Sequence, residues 1–78
     1  MKQKQIVVAT AGWVLIGAVE DAPEGIIIHE ASVIRRWGTT AGLGELAVKG
    51  PTKDTILDYT GEVHIKNAQV ILRIPCRV

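Results

Sequence analysis

Ile26-Ile27-Ile28-His29-Glu30-Ala31-Ser32-Val33-Ile34-Arg35-Arg36-Trp37 is an unbroken run with neither glycine nor proline. Its Ile and Val content is strand material, because branched side chains fit a pleated surface. The run reads as one long strand, bent on the way, since bending is how strands turn the corners of small barrels. Neighbouring side chains on a strand point to opposite faces. Arg35 and Trp37 are therefore expected to project together and Arg36 the other way.

Toward the N-terminus, Glu20-Asp21-Ala22-Pro23-Glu24-Gly25 reads as an acidic turn punctuated by Pro and Gly. Residues 13–19 before it alternate as a second strand, with Trp13, Leu15, Gly17 and Val19 on one face and Val14, Ile16 and Ala18 on the other. Both faces are apolar. In so short a protein, that implies a closed barrel or a surface covered by another subunit. Residues 5–9 read as a first strand, joined to the second by a turn or bulge at Thr10-Ala11-Gly12. Lys2 and Lys4 ahead of the apolar stretch 6–19 have the layout of a secretory signal. The stretch contains Thr10, Gly12 and Gly17 and is too short to span a bilayer, so it reads as a core hairpin, with no membrane partner expected.

Toward the C-terminus, residues 40–48 predict a short helix capped by Thr39 or Thr40, with Leu43, Leu46 and Ala47 inward and Gly50-Pro51 as its stop. Residues 52–58 read as loop or helical turn anchored by Ile56 and Leu57, and Tyr59-Thr60-Gly61 as a further turn. Residues 62–65 and 68–74 predict a hairpin across Lys66-Asn67, stopped by Pro75. The sum is a single, mainly β domain over residues 1–78. Four to five strands form a small, strongly bent barrel or a two-layer sheet, with one short helix in the central loop 38–61.

A chain of 78 residues buries only about 60% of its unfolded surface and is marginally stable without a supplement. Cys76 is the single cysteine, which excludes an internal disulfide and fits a reducing, cytoplasmic setting. His29, His64 and Cys76 have no metal-ligand spacing. No cofactor is expected, and self-association into a homo-oligomer is the remaining supplement. The net charge of +1 provides no long-range steering of polyanions. A nucleic-acid partner would require positive charge concentrated locally, as at Arg35 and Arg36.

The segment 35–61 contains five of the eight glycines and five of the six threonines. A small chain gains little from so long a Gly/Thr-rich connection unless it binds or pairs with something. Arg35, Arg36, Trp37, Gly38, Thr39 and Thr40 supply the parts of a nucleotide pocket. Guanidinium grips phosphate, indole stacks on a base, hydroxyls meet polar edges, and glycine admits close backbone approach. The same residues have a purely structural reading, with Trp37 in the core, Arg35 or Arg36 paired with Asp54 or Asp58, and the threonines capping turns. Gly42-Leu43-Gly44-Glu45-Leu46-Ala47 fits the dinucleotide fingerprint, with Asp58 and Glu62 near the distance of a ribose-binding acid. Gly50-Pro51 leaves the helix too short, however, and no second parallel unit follows. Gly42 and Gly44 can still offer backbone N–H groups to a phosphate. Lys49, Thr52 and Lys53 add cations and a hydroxyl, without the Lys-Ser/Thr of a Walker loop. The candidate ligand site is thus Arg35 to Thr40, Gly42, Gly44, Lys49, Thr52, Lys53 and Asp58, with no catalytic set.

The expected strand order resembles an Sm-like barrel, in which a bent meander ends in a short strand pair. The segment 31–40, with Gly42-Leu43-Gly44-Glu45-Leu46-Ala47, Gly50-Pro51-Thr52 and Thr55-Ile56-Leu57-Asp58, resembles small phage and prophage proteins of unassigned function. That resemblance implies a viral or prophage origin, with host cytoplasm as the place of action of a phage-encoded chain, and carries no catalytic residue. The expected function is non-catalytic sequestration of a small phosphorylated, nucleotide-like ligand, an anti-defence role in a phage. An Sm-like nucleic-acid binder and a phage structural or host-protein-interaction module are the alternatives.

Overall fold

The structure, a computed structural model, describes residues 3–38 and 42–77. Among them, β1 (Gln3–Ala9), β2 (Val14–Ala22), β3 (Gly25–Arg36), β4 (Ile56–Lys66) and β5 (Val70–Pro75) form one antiparallel sheet in the order β4-β3-β2-β1-β5. The mainly β class expected from the sequence is what the chain adopts. The sheet is bent but does not close, because β4 and β5 lie at opposite edges.

β1 and β2 meet across a 3-10 turn at Thr10–Gly12, with Leu15 opposite Val7 and Ile16 opposite Ile6. The expected acidic turn is shorter than its composition indicates. β2 runs through Glu20 and Asp21 to Ala22, and the chain reverses over Pro23 and Glu24 alone, Ala22 standing opposite Gly25. Cross-strand partners hold both acids in extended backbone, Glu20 to His29 at 2.7 Å and Asp21 to Arg73 at 2.9 Å.

β3 bends where Glu30 takes a positive φ of 51°. Its register slips there against both neighbours, between Ile16 and Ala18 on one side and between Ile28 and Ala31 on the other. Gly17 faces the bend. A Cβ at this position would lie 2.6 Å from Ile28 Cγ2 and 2.9 Å from the His29 carbonyl oxygen, so only glycine lets β3 fold in so close.

The two apolar faces of β1 and β2 both lie in core. On the inner face of the bend Val7, Leu15, Val19, Ile26, Ile28 and Ala31 pack together, with Val33, Val63, Ile65 and Val70 around them. On the outer face Ile6, Ile16 and Ile34 pack with Leu46 and Ala47 of a helix, α1 (Leu43–Lys49). The expectation that barrel closure or another subunit covers the second face is corrected here. The chain covers it with its own central segment, and the Arg77 N–H donates to the Ala47 carbonyl at 2.8 Å to tie the C-terminal end to the helix. α1 follows Gly42 and ends at Gly50, whose φ is 82°. The caps expected at Thr39 and Thr40 lie outside the described residues.

Three C-terminal expectations fail for non-local reasons. Tyr59, Thr60 and Gly61 do not turn the chain but stay inside β4, where a register slip and a φ of 91° at Gly61 mark a bulge. Leu57 is 37% exposed and anchors little. The hairpin of 62–65 with 68–74 does not form. A 3-10 turn at Asn67–Gln69 sends the chain across the open end of the bend, and β5 pairs with β1, Ile74 opposite Ile6 and Leu72 opposite Val8. Pairing there lets Val70 reach the inner core and Ile74 the outer one, whereas a hairpin would have left both against β4.

Cys76 packs against the outer core, and burial pushes its thiol pKa up, partly offset by the charge of Lys4. The thiolate is the reactive form. Iodoacetamide at pH 8 is accordingly expected to label the folded protein several-fold more slowly than the urea-unfolded chain, as followed by mass spectrometry.

Candidate functional site

The central segment is a built structure rather than a slack connection. Gly38 adopts a φ of 68°, and a Cβ on it would overlap the backbone of Asp54 and Thr55. Left-handed backbone without a side chain is a glycine property, and here it lets the 52–55 turn press directly on the end of β3. Two hydroxyls lock that contact. Thr52 Oγ1 donates to the Gly38 carbonyl at 2.6 Å, and Thr55 Oγ1 donates to the Trp37 carbonyl at 2.5 Å. Thr52 Oγ1 also accepts from the Asp54 N–H at 3.2 Å, and Thr55 Oγ1 accepts from the Thr52 N–H at 2.9 Å.

On this base stand the residues expected to meet a ligand. The Arg35 guanidinium grips Asp58 side-on, Nε to Oδ2 at 2.9 Å and Nη2 to Oδ1 at 3.2 Å. Both side chains are solvent-accessible, at 66% and 48%. The purely structural reading paired Arg35 or Arg36 with Asp54 or Asp58, and the pair that forms is Arg35 with Asp58. Trp37 is not the core residue of the structural reading, because it is 44% exposed. Its six-membered ring lies over Gly42, where an added Cβ would be 3.7 Å from Cζ3.

Three contacts thus lie around the end of β3: Arg35 with Asp58, Trp37 with Gly42, and Gly38 with Thr52. The Thr52 hydroxyl serves the loop itself. Gly44 is exposed, and a side chain there would meet nothing. Arg36, Lys49 and Lys53 are exposed and form no ion pair among the described residues. Thr39 and Thr40 lie outside the described residues.

No family model, no curated protein and no solved structure matches the chain. Function has to be read from the residues alone.

Two features escaped the sequence. The first is a cavity of about 370 Å³ on the inner face. Leu15 and Val33, opposite one another on β2 and β3, line it together with Val63 and Ile65 of β4. Its rim carries Trp13, 55% exposed, and Gln69, whose Oε1 accepts a hydrogen bond from Thr10 Oγ1. The available signal was a tryptophan directly after a Gly-containing turn, which strand alternation assigned to an apolar face. The second is a row of His and Glu across three strands. His29 Nε2 lies 2.7 Å from Glu20 Oε1, and His64 Nε2 lies 2.6 Å from Glu62 Oε2. The β2–β3 register brings Glu20 to His29, whereas Glu62 and His64 share one face of β4 two residues apart. No group of three or more His, Cys, Asp or Glu among the described residues could hold a metal ion, and no helix among them is long and apolar enough to cross a membrane.

Proposed function

We propose that this protein binds a small phosphorylated, nucleotide-like ligand at the Arg35–Asp58 end of its sheet and retains it without chemistry. The observation that carries this reading is the side-on geometry of the ion pair. Asp58 occupies the Nε and one Nη2 position of Arg35, whose side chain is 66% exposed, leaving the other three of the five guanidinium N–H donors for a ligand. A carboxylate that holds a guanidinium in one orientation pre-forms a fork for phosphate oxygens. An exposed ion pair adds only about 0–1 kcal/mol to stability, so orientation is its main effect.

Isothermal titration calorimetry with cyclic and linear nucleotides tests the reading. Micromolar to low-millimolar binding is expected, weakened about tenfold or more in Arg35→Ala, whose melting temperature stays within a few degrees of the parent. Silence from every nucleotide at millimolar concentration would reject it. Trp37→Ala is expected to cost less than about 1.5 kcal/mol in urea denaturation, against the roughly 3–5 kcal/mol of a buried tryptophan, because the ring is half in solvent. In a phage-encoded chain, retention of a nucleotide signal would be an anti-defence activity in the host cytoplasm.

A homo-oligomer belongs to the same proposal. Among the described residues, β4 and β5 each leave one edge without a strand partner. Ile71 and Leu72 on β5 are 61% and 44% exposed, and Tyr59 on β4 is 71% exposed. Unprotected apolar edges are sites of strand pairing between chains. Light scattering after gel filtration should report more than one chain per particle, and Ile71→Lys should reduce the particle to a monomer.

A second reading, nucleic-acid binding, draws support from the three exposed cations Arg36, Lys49 and Lys53, which no acid neutralises among the described residues. It differs in predicting affinity that falls steeply with salt.

A further inference from the structure

The phosphate reading leaves open where the remainder of the ligand sits, and the inner-face cavity lies on the same side of the sheet. Asp58 is directly opposite Val33 in the β3–β4 register. Residues opposite one another in an antiparallel pair share a face, and Val33 is part of the cavity lining. The Arg35–Asp58 fork therefore stands on the cavity's own face, two residues further along β3, a step of roughly 7 Å.

We propose that this cavity receives the uncharged heteroaromatic ring of the ligand, so that the protein takes a nucleoside monophosphate-like molecule with its base under Trp13 and its phosphate at Arg35. The inference rests on the phosphate reading and names the ligand class for that site. Three observations carry it. No charged side chain lines the cavity, which favours an uncharged ring over a charged group there. Its volume, about 370 Å³, falls in the range of roughly 300–1,000 Å³ that small-molecule sites occupy. The rim supplies what a planar ring requires, an exposed indole to stack on and a polar edge to read. Gln69 spends its Oε1 on Thr10, which leaves the Gln69 amide N–H₂ to donate to a ring nitrogen or carbonyl. Trp37 is less suited to this part, because one face of its ring is already turned to Gly42.

The test uses the full chain and three kinds of probe: the nucleoside 5′-monophosphates of the four common bases, the corresponding nucleosides, and inorganic phosphate. Affinities come from calorimetry on the parent, Trp13→Ala and Arg35→Ala proteins. Ring stacking on Trp13 is reported as the part of the ligand-induced emission quenching of the parent that is lost in Trp13→Ala. At least one monophosphate should bind about tenfold more tightly than its nucleoside, as expected for a charge-assisted contact, and both should quench Trp13. Trp13→Ala should weaken both by about tenfold or more, in keeping with the loss of one stacked base. Arg35→Ala should lower the monophosphate to the level of the nucleoside and leave the nucleoside unchanged.

Monophosphate binding that depends on Arg35, ignores Trp13→Ala and leaves Trp13 emission unmoved would overturn the cavity assignment while the phosphate site stands. Nucleoside and monophosphate binding that are equal, Trp13-dependent and insensitive to Arg35→Ala would overturn the phosphate reading instead. No response from any probe at millimolar concentration would overturn the ligand class named here, and the phosphate reading falls with it when cyclic nucleotides are silent too. Trp13 is largely exposed, so a folded Trp13→Ala protein is expected, with circular dichroism as the control.

Discussion

Leu46→Ala is expected to lower the unfolding free energy by about 2–5 kcal/mol, the range for a leucine truncated in a packed core. Leu46 is 1% exposed and lies among Ile6, Ile16 and Ile34. It belongs to a helix of only seven residues, Leu43–Lys49, too short to persist in water by itself. Packing must therefore hold the helix to the sheet, and Leu46 and Ala47 are its fully buried contacts. In a domain whose stability is about 5–15 kcal/mol, such a loss lowers the melting temperature by on the order of 10 °C or more. Urea denaturation followed by circular dichroism measures it. A loss below about 1 kcal/mol would mean that α1 is peripheral and that something else covers the outer face of β1 and β2.

Gly38→Ala is expected to produce the second large effect, of a different kind. The substituted residue must hold a left-handed conformation, which costs an L residue roughly 1–2 kcal/mol, and its Cβ would overlap the Asp54 and Thr55 backbone. The 52–55 turn must then move off the end of β3, and the hydrogen bonds from Thr52 and Thr55 to Gly38 and Trp37 are lost with it. The expected outcome is a folded protein, destabilised by about 2–4 kcal/mol, in which nucleotide binding at Arg35 is lost although Arg35 is intact. Thr52→Val and Thr55→Val should reproduce a milder form. A Gly38→Ala protein with unchanged nucleotide affinity would show that the loop's geometry is irrelevant to the site.

What could be read from the residues follows from how local each signal is. Alternation in 13–19 and the Ile-rich run from Ile26 identify strands, because the period of a strand is written in its own neighbours. The inward triplet Leu43, Leu46 and Ala47 identifies the helix for the same reason, and Gly50 its end. The acidic pair Glu20-Asp21 misleads, because its strand conformation depends on His29 and Arg73, nine and 52 positions away. The Ile65/Ala68 hairpin misleads similarly. Lys66-Asn67 has the composition of a turn, yet the free edge of β1 and the two cores waiting for Val70 and Ile74 decide where β5 goes. Within the site, the threonine-rich loop and an Arg–Asp pair, drawn from Arg35 or Arg36 and Asp54 or Asp58, could be named beforehand. The exposure of Trp37 and the cavity beneath Trp13 could not, since both depend on the bend at Glu30 and on the path of β4.

Native mass spectrometry of the protein, purified gently from cells, tests the central claim most directly. The account predicts an oligomer carrying a nucleotide-sized adduct that is absent from the Arg35→Ala protein. A ligand-free monomer, unchanged by Arg35→Ala and by added nucleotides, would contradict both the self-association and the retention of a phosphorylated ligand.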